Sequence, residues 1–229
     1  MLEDFVSVII PARNEEGYLE ERSLPSVAKQ TYRNSEAIVV CNACTDRTEE
    51  AAEEFRRINK NLRLRILSVE KPGVSHARNI GAEASTGNLL VFLDADIYMA
   101  ENTIEQIVNF KQKYGNILGS CMAKPAEKNI RARLFVLTKN YLPGLGHLAN
   151  GIIFCDRETY QKIGGFNESK DKWEIREFLK KGREEAVYNP RLKSTYVVMS
   201  MRRFEKGGYR NTIINEWFNP LKKDYAVVR

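Results

Sequence analysis

Short β-branched and aliphatic runs alternate with amphipathic stretches of helical length through the first hundred residues, and few folds accept that alternation. Phe5-Val6-Ser7-Val8-Ile9-Ile10 reads as a strand stopped by Pro11. Residues 15–29 follow as a helix with Leu19, Leu24 and Val27 among its apolar positions. Ala37-Ile38-Val39-Val40-Cys41 is almost continuously apolar, as a strand covered on both faces must be. A second helix spans about 45–60, with Asp46 and Glu49 at capping-box spacing and Ala51, Ala52, Phe55 and Ile58 as apolar positions. Residues 64–69 form a third strand, 75–84 a third helix, and Leu89-Leu90-Val91-Phe92-Leu93 a fourth strand. Strands joined by helices of this length imply right-handed βαβ crossovers. The fold class is therefore α/β, with a mostly parallel, Rossmann-like central sheet flanked by helices.

Beyond Ile97 the pattern loosens. Helices fit 101–114, 158–163 and 173–181; strands fit 117–123, 152–155 and 195–199. Residues 126–146 are mixed and broken by Pro143-Gly144-Leu145-Gly146, and 204–218 fits a terminal helix interrupted at Gly207-Gly208. There is no internal repeat or low-complexity linker, so 1–229 reads as one domain with a front half at 1–98 and a second half at 99–229 that includes a smaller lobe. The 229 residues, 43% hydrophobic, are enough for one core. Four cysteines make no disulfide framework, no apolar run approaches the roughly 20 residues of a membrane span, and the acidic start shows no secretory signal. A cytoplasmic protein is expected.

Charge is unevenly placed. Residues 1–169 carry 21 basic and 22 acidic side chains, a net of −1, whereas 170–229 carry 15 and 8, a net of +7. Such a field solubilises, or favours an anionic partner, such as a phosphate-bearing substrate or an acidic membrane surface met peripherally by the C-terminal segment. A nucleic-acid binder would interleave its cations with exposed aromatics, and Tyr209 and Trp217 are slender support for that, so no nucleic acid is expected.

In an open parallel sheet, ligands bind beyond the carboxyl ends of the strands. The first strand delivers Pro11-Ala12-Arg13-Asn14-Glu15 there, the second Asn42-Ala43-Cys44-Thr45-Asp46, and the fourth Asp94-Ala95-Asp96. Asp94 and Asp96 follow five apolar residues, so two hard oxygen ligands stand at the mouth of a buried strand. That chemistry suits Mg2+ or Mn2+ held together with a diphosphate, although an Asp-x-Asp alone also recurs as a turn or helix-capping pair.

With these residues in view, the chain resembles the family 2 glycosyltransferases. Ser7-Val8-Ile9-Ile10-Pro11-Ala12-Arg13-Asn14-Glu15-Glu16 resembles their opening. Val39 to Thr48 resembles their V-D-D-G-S-T-D-G-T motif, and Lys71-Pro72-Gly73-Val74-Ser75-His76-Ala77-Arg78-Asn79-Ile80-Gly81 with Gly87 resembles the stretch before their D-x-D. Gly164-Gly165-Phe166-Asn167-Glu168 is similar to their acceptor-side G-G-F-D-E. The resemblance implies a GT-A fold and sugar transfer from a UDP- or GDP-linked donor to a saccharide or lipid-linked acceptor, with inversion as the family default. Pro11, Ala12, Arg13, Asn14 and Glu15 would line the nucleoside pocket, Asn42 would meet the base, and Arg78 would lie near base and phosphates. Asp94 would meet the ribose or the metal-bound diphosphate, and Asp96 would ligate the metal.

Two positions depart from the family. Cys41-Asn42 stands where a pair of aspartates is usual, which alters donor and acceptor roles toward the base. Where inverting members carry Glu-Asp, with the aspartate as general base, this chain aligns Glu174-Ile175. Glu174 is then the candidate base, with Asp171 behind it; helical spacing puts Glu177 on the same face as Glu174. With no base at all, a retaining reaction or an already ionised acceptor such as a lipid phosphate would be required. Arg202 and Arg203 resemble a late S-x-R-R-F segment and suit a diphosphate through their forked guanidinium groups.

Competing readings are weaker. A sugar-phosphate nucleotidyltransferase would need a glycine-rich loop after the first strand, and a dinucleotide-binding oxidoreductase would need G-x-G-x-x-G. A donor-binding module without catalysis is kept open by Ile175, and donor hydrolysis would separate it from an enzyme. Cys41-x-x-Cys44 has half-zinc or redox spacing but no second pair. His147, in its glycine-rich loop, could approach a metal but reads more simply as an ordinary polar residue.

Overall fold

The structure is a computed structural model that describes residues 4–141, 149–169 and 173–201. One mixed sheet organises them, in the order β3-β2-β1-β4-β7-β6-β8-β5. Its front half holds β1 (Val6–Ala12), β2 (Ser35–Asn42), β3 (Leu64–Val69) and β4 (Leu89–Leu93), all parallel. Helices α1 (Leu24–Ala28), α2 (Thr48–Ile58) and α3 (Val74–Ala84) connect them, α1 being entered through a π-type turn at Leu19–Ser23. Burial explains the apolar runs: every residue of β4 is buried, as are Val6, Val8, Ile9 and Ile10 of β1 and Ile38, Val39 and Val40 of β2.

The second half changes direction. The two-residue strand β5 (Tyr98–Met99) leads to α4 (Thr103–Tyr114), β6 (Ile117–Pro125), α5 (Ile130–Tyr141), β7 (Ile152–Asp156), α6 (Arg157–Ile163), α7 (Glu174–Gly182) and β8 (Val187–Met199). β7 runs antiparallel to both β4 and β6, β6 is parallel to β8, and β5 closes the edge antiparallel to β8. The expected α/β sheet with helices on its faces is thus present, with the parallel order confined to the front half and the β6–β8 pair.

Several local expectations give way to tertiary structure. β1 continues through Pro11 to Ala12 because its ladder with β4 ends at Ile9, so one edge beyond that point asks no donor of the proline. The helix expected over 15–29 forms only from Leu19. Asp46 and Glu49 do not make a capping box: Asp46 Oδ1 accepts from the Thr48 amide (3.1 Å) and hydroxyl (2.6 Å), while Glu49 accepts from Ser68. β8 starts eight residues before the expected 195, since 187–194 mixes Val187 and Leu192 with polar residues and Pro190 and so hides a strand whose pairing with β6 is irregular from Asn189 to Tyr196. The breaker at 143–146, His147 and the terminal helix at 204–218 lie outside the described residues.

Asp156 braces the second half internally, and Arg157 locks it to the front half. Asp156 caps α6 through the Thr159 amide (2.9 Å) and also accepts from Ile117 N (2.9 Å), tying β6 to β7. Arg157 donates to the carbonyls of Gly87 (2.7 Å), Ala82 (3.2 Å) and Ser85 (3.0 Å), closing the C-terminal end of α3. Helix α3 lies so close to the sheet that a Cβ at Gly81 would collide with Ile9 and press Val40 Cγ2 at 3.2 Å. Gly81→Ala is expected to destabilise by about 1–3 kcal/mol through overpacking, outweighing the ~1 kcal/mol gained in helix propensity. A fall in the urea midpoint at unchanged slope checks it.

Candidate active site

Because β1, β2 and β4 are adjacent and parallel, their carboxyl ends open on the same edge. The structure therefore brings 11–15, 42–46 and 94–96 together, as the motif spacing requires. Asp94 leaves β4 with its amide bonded to Gly151 O (2.9 Å), which sets it against the start of β7. Its side chain remains 40% exposed. Ala95 and Ile97 are buried, whereas Asp96 between them is only half-buried.

Arg78 is the centre of the site. It projects from α3 with a side chain 4% exposed; Nη2 donates to Asp94 Oδ1 and Nη1 to Glu174 Oε1, both at 3.0 Å. Its guanidinium carbon lies 5.2 Å from the centroid of Phe166, and Nε is buried without a hydrogen-bond partner. A buried guanidinium survives only with paired and hydrogen-bonded carboxylates. Here one carboxylate comes from the metal-type motif and the other from the candidate base. Glu174 begins α7 after Trp173, whose backbone is left-handed at φ 69°.

The loops around this pair are held by side-chain amides. Asn14, at φ 53°, accepts from Thr45 N (2.8 Å) and donates to Thr45 Oγ1 (3.1 Å), binding the end of β1 to that of β2. Glu15 N donates to Thr48 Oγ1 (2.8 Å) and Glu16 N to Asp46 Oδ2 (3.2 Å). Asn42, which the resemblance directs to the base, is buried; its Nδ2 donates to Lys71 O and its Oδ1 accepts from Gly73 N, both at 2.8 Å. In this structure it therefore shapes the 71–73 turn. Ala12 is buried, Pro11 is half-buried, and half-buried Arg13 keeps its Nε buried and unpartnered. Asp171, Arg202 and Arg203 lie outside the described residues.

A second cluster escaped the sequence reading of individual roles, although its residues sit inside the quoted motifs. Asn79 Oδ1 accepts from Phe166 N and Tyr160 Oη, and its Nδ2 donates to Phe166 O, each at 2.9 Å. Glu168 then accepts from Asn79 (3.0 Å) and Lys71 (2.9 Å), with His76 Nδ1 at 3.1 Å. The Gly-Gly-Phe turn is necessary here, since Gly165 has φ 73° and a Cβ would sit 2.9 Å from both Asn79 Oδ1 and Tyr160 Oη. Phe166 stacks on Phe178 of α7 at 4.2 Å and meets Phe92 of β4 edge-on at 4.9 Å.

Two groups titrate unusually. The bonds from Asn79 and Lys71 hold the Glu168 carboxyl down at about 2. At the end of β2, the hydrogen bond from buried Cys41 lowers the half-buried Cys44 thiol to about 6, while the bond to Cys44 and burial push Cys41 upward. The Cys44 thiolate fraction thus rises as pH climbs through about 6. Iodoacetamide at pH 7 is expected to modify Cys44 ahead of Cys41, Cys121 and Cys155, with a rate midpoint near 6 by peptide mass spectrometry. Since folding depresses Glu168, its contribution is present above the unfolded carboxyl value of about 4.3 and is lost as pH falls toward 2. Urea melts of wild type and Glu168→Gln should therefore differ at pH 6 and converge near pH 2.

Known proteins resemble this chain in sequence and in fold. The chain matches the Glycosyl transferase family 2 model over residues 7–206. It is 34% identical over 107 residues to glycosyltransferase GlyA of Streptococcus pneumoniae, an alignment covering 47% of this chain and 15% of that protein. It is 39% identical over 107 residues to glycosyltransferase AglE of Haloferax volcanii, covering 46% of this chain and 34% of that one. The chain thus spans well under half the length of these relatives. Among solved structures, residues 1–349 of S. aureus TarS superpose with a TM-score of 0.69 at 19% identity, covering 95% of this chain and 67% of that one. The mannosyltransferase PcManGT of Pyrobaculum calidifontis, solved with GDP-Man and Mn2+, superposes with a TM-score of 0.67 at 22% identity over 86% of this chain and 57% of that one. These neighbours share its GT-A fold. Three strand ends opening on one edge, a buried arginine joining two carboxylates there, and a family match across most of the length lead to one assignment: the chain belongs to Glycosyl transferase family 2.

Proposed function

We propose that the protein transfers a hexosyl group from a UDP- or GDP-linked sugar to an acceptor hydroxyl with inversion, using a divalent cation. The observation that carries this reading is the Arg78 bridge between Asp94 and Glu174. The guanidinium ties the end of β4 to the start of α7, which supports reading Glu174 as a carboxylate held beside the strand ends where a diphosphate would arrive. The donor-binding half is 1–98, and 99–229 supplies Glu174 and the acceptor side.

The residues present fit a hard divalent ion. Asp94 and Asp96 offer carboxylate oxygens, and among the described residues no group of three or more His, Cys, Asp or Glu could make a closed protein cage. The remaining coordination positions would fall to diphosphate oxygens and water, the usual arrangement for Mg2+ and equally open to Mn2+. Asp96 and Asp94 would hold Mg2+ or Mn2+, which when bound stabilises charge on the departing diphosphate.

This chain's own residues do the rest. The 11–15 segment and the turn bonded by Asn42 frame the nucleoside. Arg78, held by Asp94 and Glu174, contributes a fixed positive charge near the diphosphate as negative charge grows on the leaving oxygen. Glu174 accepts the proton of the acceptor hydroxyl while the acceptor oxygen attacks the anomeric carbon from the opposite side. The anomeric C–O bond breaks, and its electron pair leaves with the nucleoside diphosphate. Glu174 takes this role because the next position is Ile175, which carries no titratable group. The Arg78–Glu174 bond fixes its carboxylate in place.

Calorimetric titration of UDP and GDP, with and without Mn2+, tests the donor site. Binding that depends on the metal and is lost in Asp96→Ala is the expected result; failure of both nucleotides under every condition overturns the reading. Glu174→Gln is expected to leave nucleotide affinity within about threefold while lowering kcat by about 10²–10⁴-fold. A variant with full kcat would remove Glu174 from the chemistry.

A further inference from the structure

Helix α5 is apolar on two opposite faces. Ala132, Phe135, Val136 and Lys139 are buried against the body of the protein. On the other side Ile130, Leu134, Leu137 and Tyr141 are 66%, 55%, 54% and 60% exposed. They follow in steps of four, three and four residues, so at 100° per residue they lie within about 60° of arc. Scattered exposed aliphatics need no explanation, but a straight stripe along a whole helix marks a surface that is covered in use.

The charges beside the stripe indicate what covers it. Arg131 and Arg133 are exposed, and helical geometry puts them on its two flanks. Lys124 and Lys128, on the approach to the helix, are exposed as well, and α5 itself contains no acidic residue. Glu127, the nearest carboxylate in sequence, turns inward to accept from Met201 N (2.9 Å) and Ser200 Oγ (3.1 Å). An apolar line flanked by exposed arginines is the form of a helix lying in a bilayer interface. Four side chains make a small patch beside the roughly 800 Å² per partner that a stable protein interface buries. Among the described residues no helix is long and apolar enough to cross a membrane, so the contact is with the surface.

We infer that α5 docks this protein on an anionic lipid surface, with Ile130, Leu134, Leu137 and Tyr141 entering the headgroup boundary and Arg131 and Arg133 pairing with lipid phosphates. The helix is held in a fixed relation to the candidate active site by a chain of amides. Asn140 exchanges bonds with Ala123 N (3.0 Å) and O (2.9 Å), Asn150 Nδ2 donates to Asn140 Oδ1 (3.2 Å), and the adjoining Gly151 O accepts from Asp94 N. A docked α5 therefore sets the distance of Asp94 from the lipid headgroups, which suits an acceptor carried on a lipid. The docking itself stands independently of the donor-site reading.

Co-sedimentation of the whole chain with vesicles of phosphatidylcholine mixed with phosphatidylglycerol, against phosphatidylcholine alone, tests this. Binding is expected to the anionic vesicles, weakening as salt rises. The double variant Leu134→Glu/Leu137→Glu should lose at least about tenfold in affinity through the apolar stripe. Arg131→Glu/Arg133→Glu should lose about tenfold or more through the charges. All four positions are exposed, so circular dichroism and the urea midpoint should match wild type, as should UDP or GDP binding. If anionic vesicles are not bound, or if both double variants bind them like wild type, the inference is overturned. It is also overturned if Leu134→Glu/Leu137→Glu turns a dimer into a monomer in sedimentation velocity while vesicle binding is unchanged, because a second copy would then cover the stripe.

Discussion

A single guanidinium, that of Arg78, is buried between carboxylates supplied from 16 and 96 residues away along the chain, and the relation of the two halves follows from it. An unpaired charge in that position would cost several kcal/mol, so at least one of Asp94 and Glu174 must remain a carboxylate beside it. Phe166 beneath the guanidinium, stacked in turn on Phe178, extends the same constraint into the core of the second half. Helix α3, the end of β4 and the start of α7 are thus fixed at one point. The buried Nε without a partner is the remaining unmet need there.

Around this point the loops are braced by side-chain amides bonding to backbone. Asn14 joins β1 to β2, Asn42 holds the 71–73 turn, Asn79 grips the Gly-Gly-Phe turn, and Asn150 reaches back to Asn140 and Cys121. An amide carries both a donor and an acceptor, so one residue can satisfy two strand-end groups that have no ladder partner. The described residues with positive φ other than glycine are Asn14, Ala43 and Trp173, and all three border the site. Alanine and tryptophan have no side-chain compensation for that conformation. The strain is held by the surrounding bonds, as is common where loops must present groups to a ligand.

The front half was readable because its strands are short, apolar and bounded by helix-length stretches, so burial alone set their period. β4 and β3 fall on the expected residues, and the site motifs fall at the strand ends as the topology rule requires. The second half was less readable for a physical reason. β8 mixes polar residues with Pro190 and pairs irregularly, and β5 is only two residues long, too short for any period. Helix α5 carries apolar residues on two faces, which blurs the periodic signal by which an amphipathic helix is recognised.

Taken alone, the sequence determined the α/β class, the family, the strand-end motifs and the identity of Arg78, Asp94, Asp96 and Glu174 as candidates, because these depend on local pattern and residue chemistry. Tertiary structure decided which of them meet. It joined Arg78 to both Asp94 and Glu174, turned Asn42 into the brace of the 71–73 turn, and gathered Lys71, His76 and Asn79 around Glu168. It also exposed the outer stripe of α5. Those outcomes rest on contacts between residues far apart in the chain, where the need to pair buried charge and satisfy backbone groups acts only once the sheet has formed.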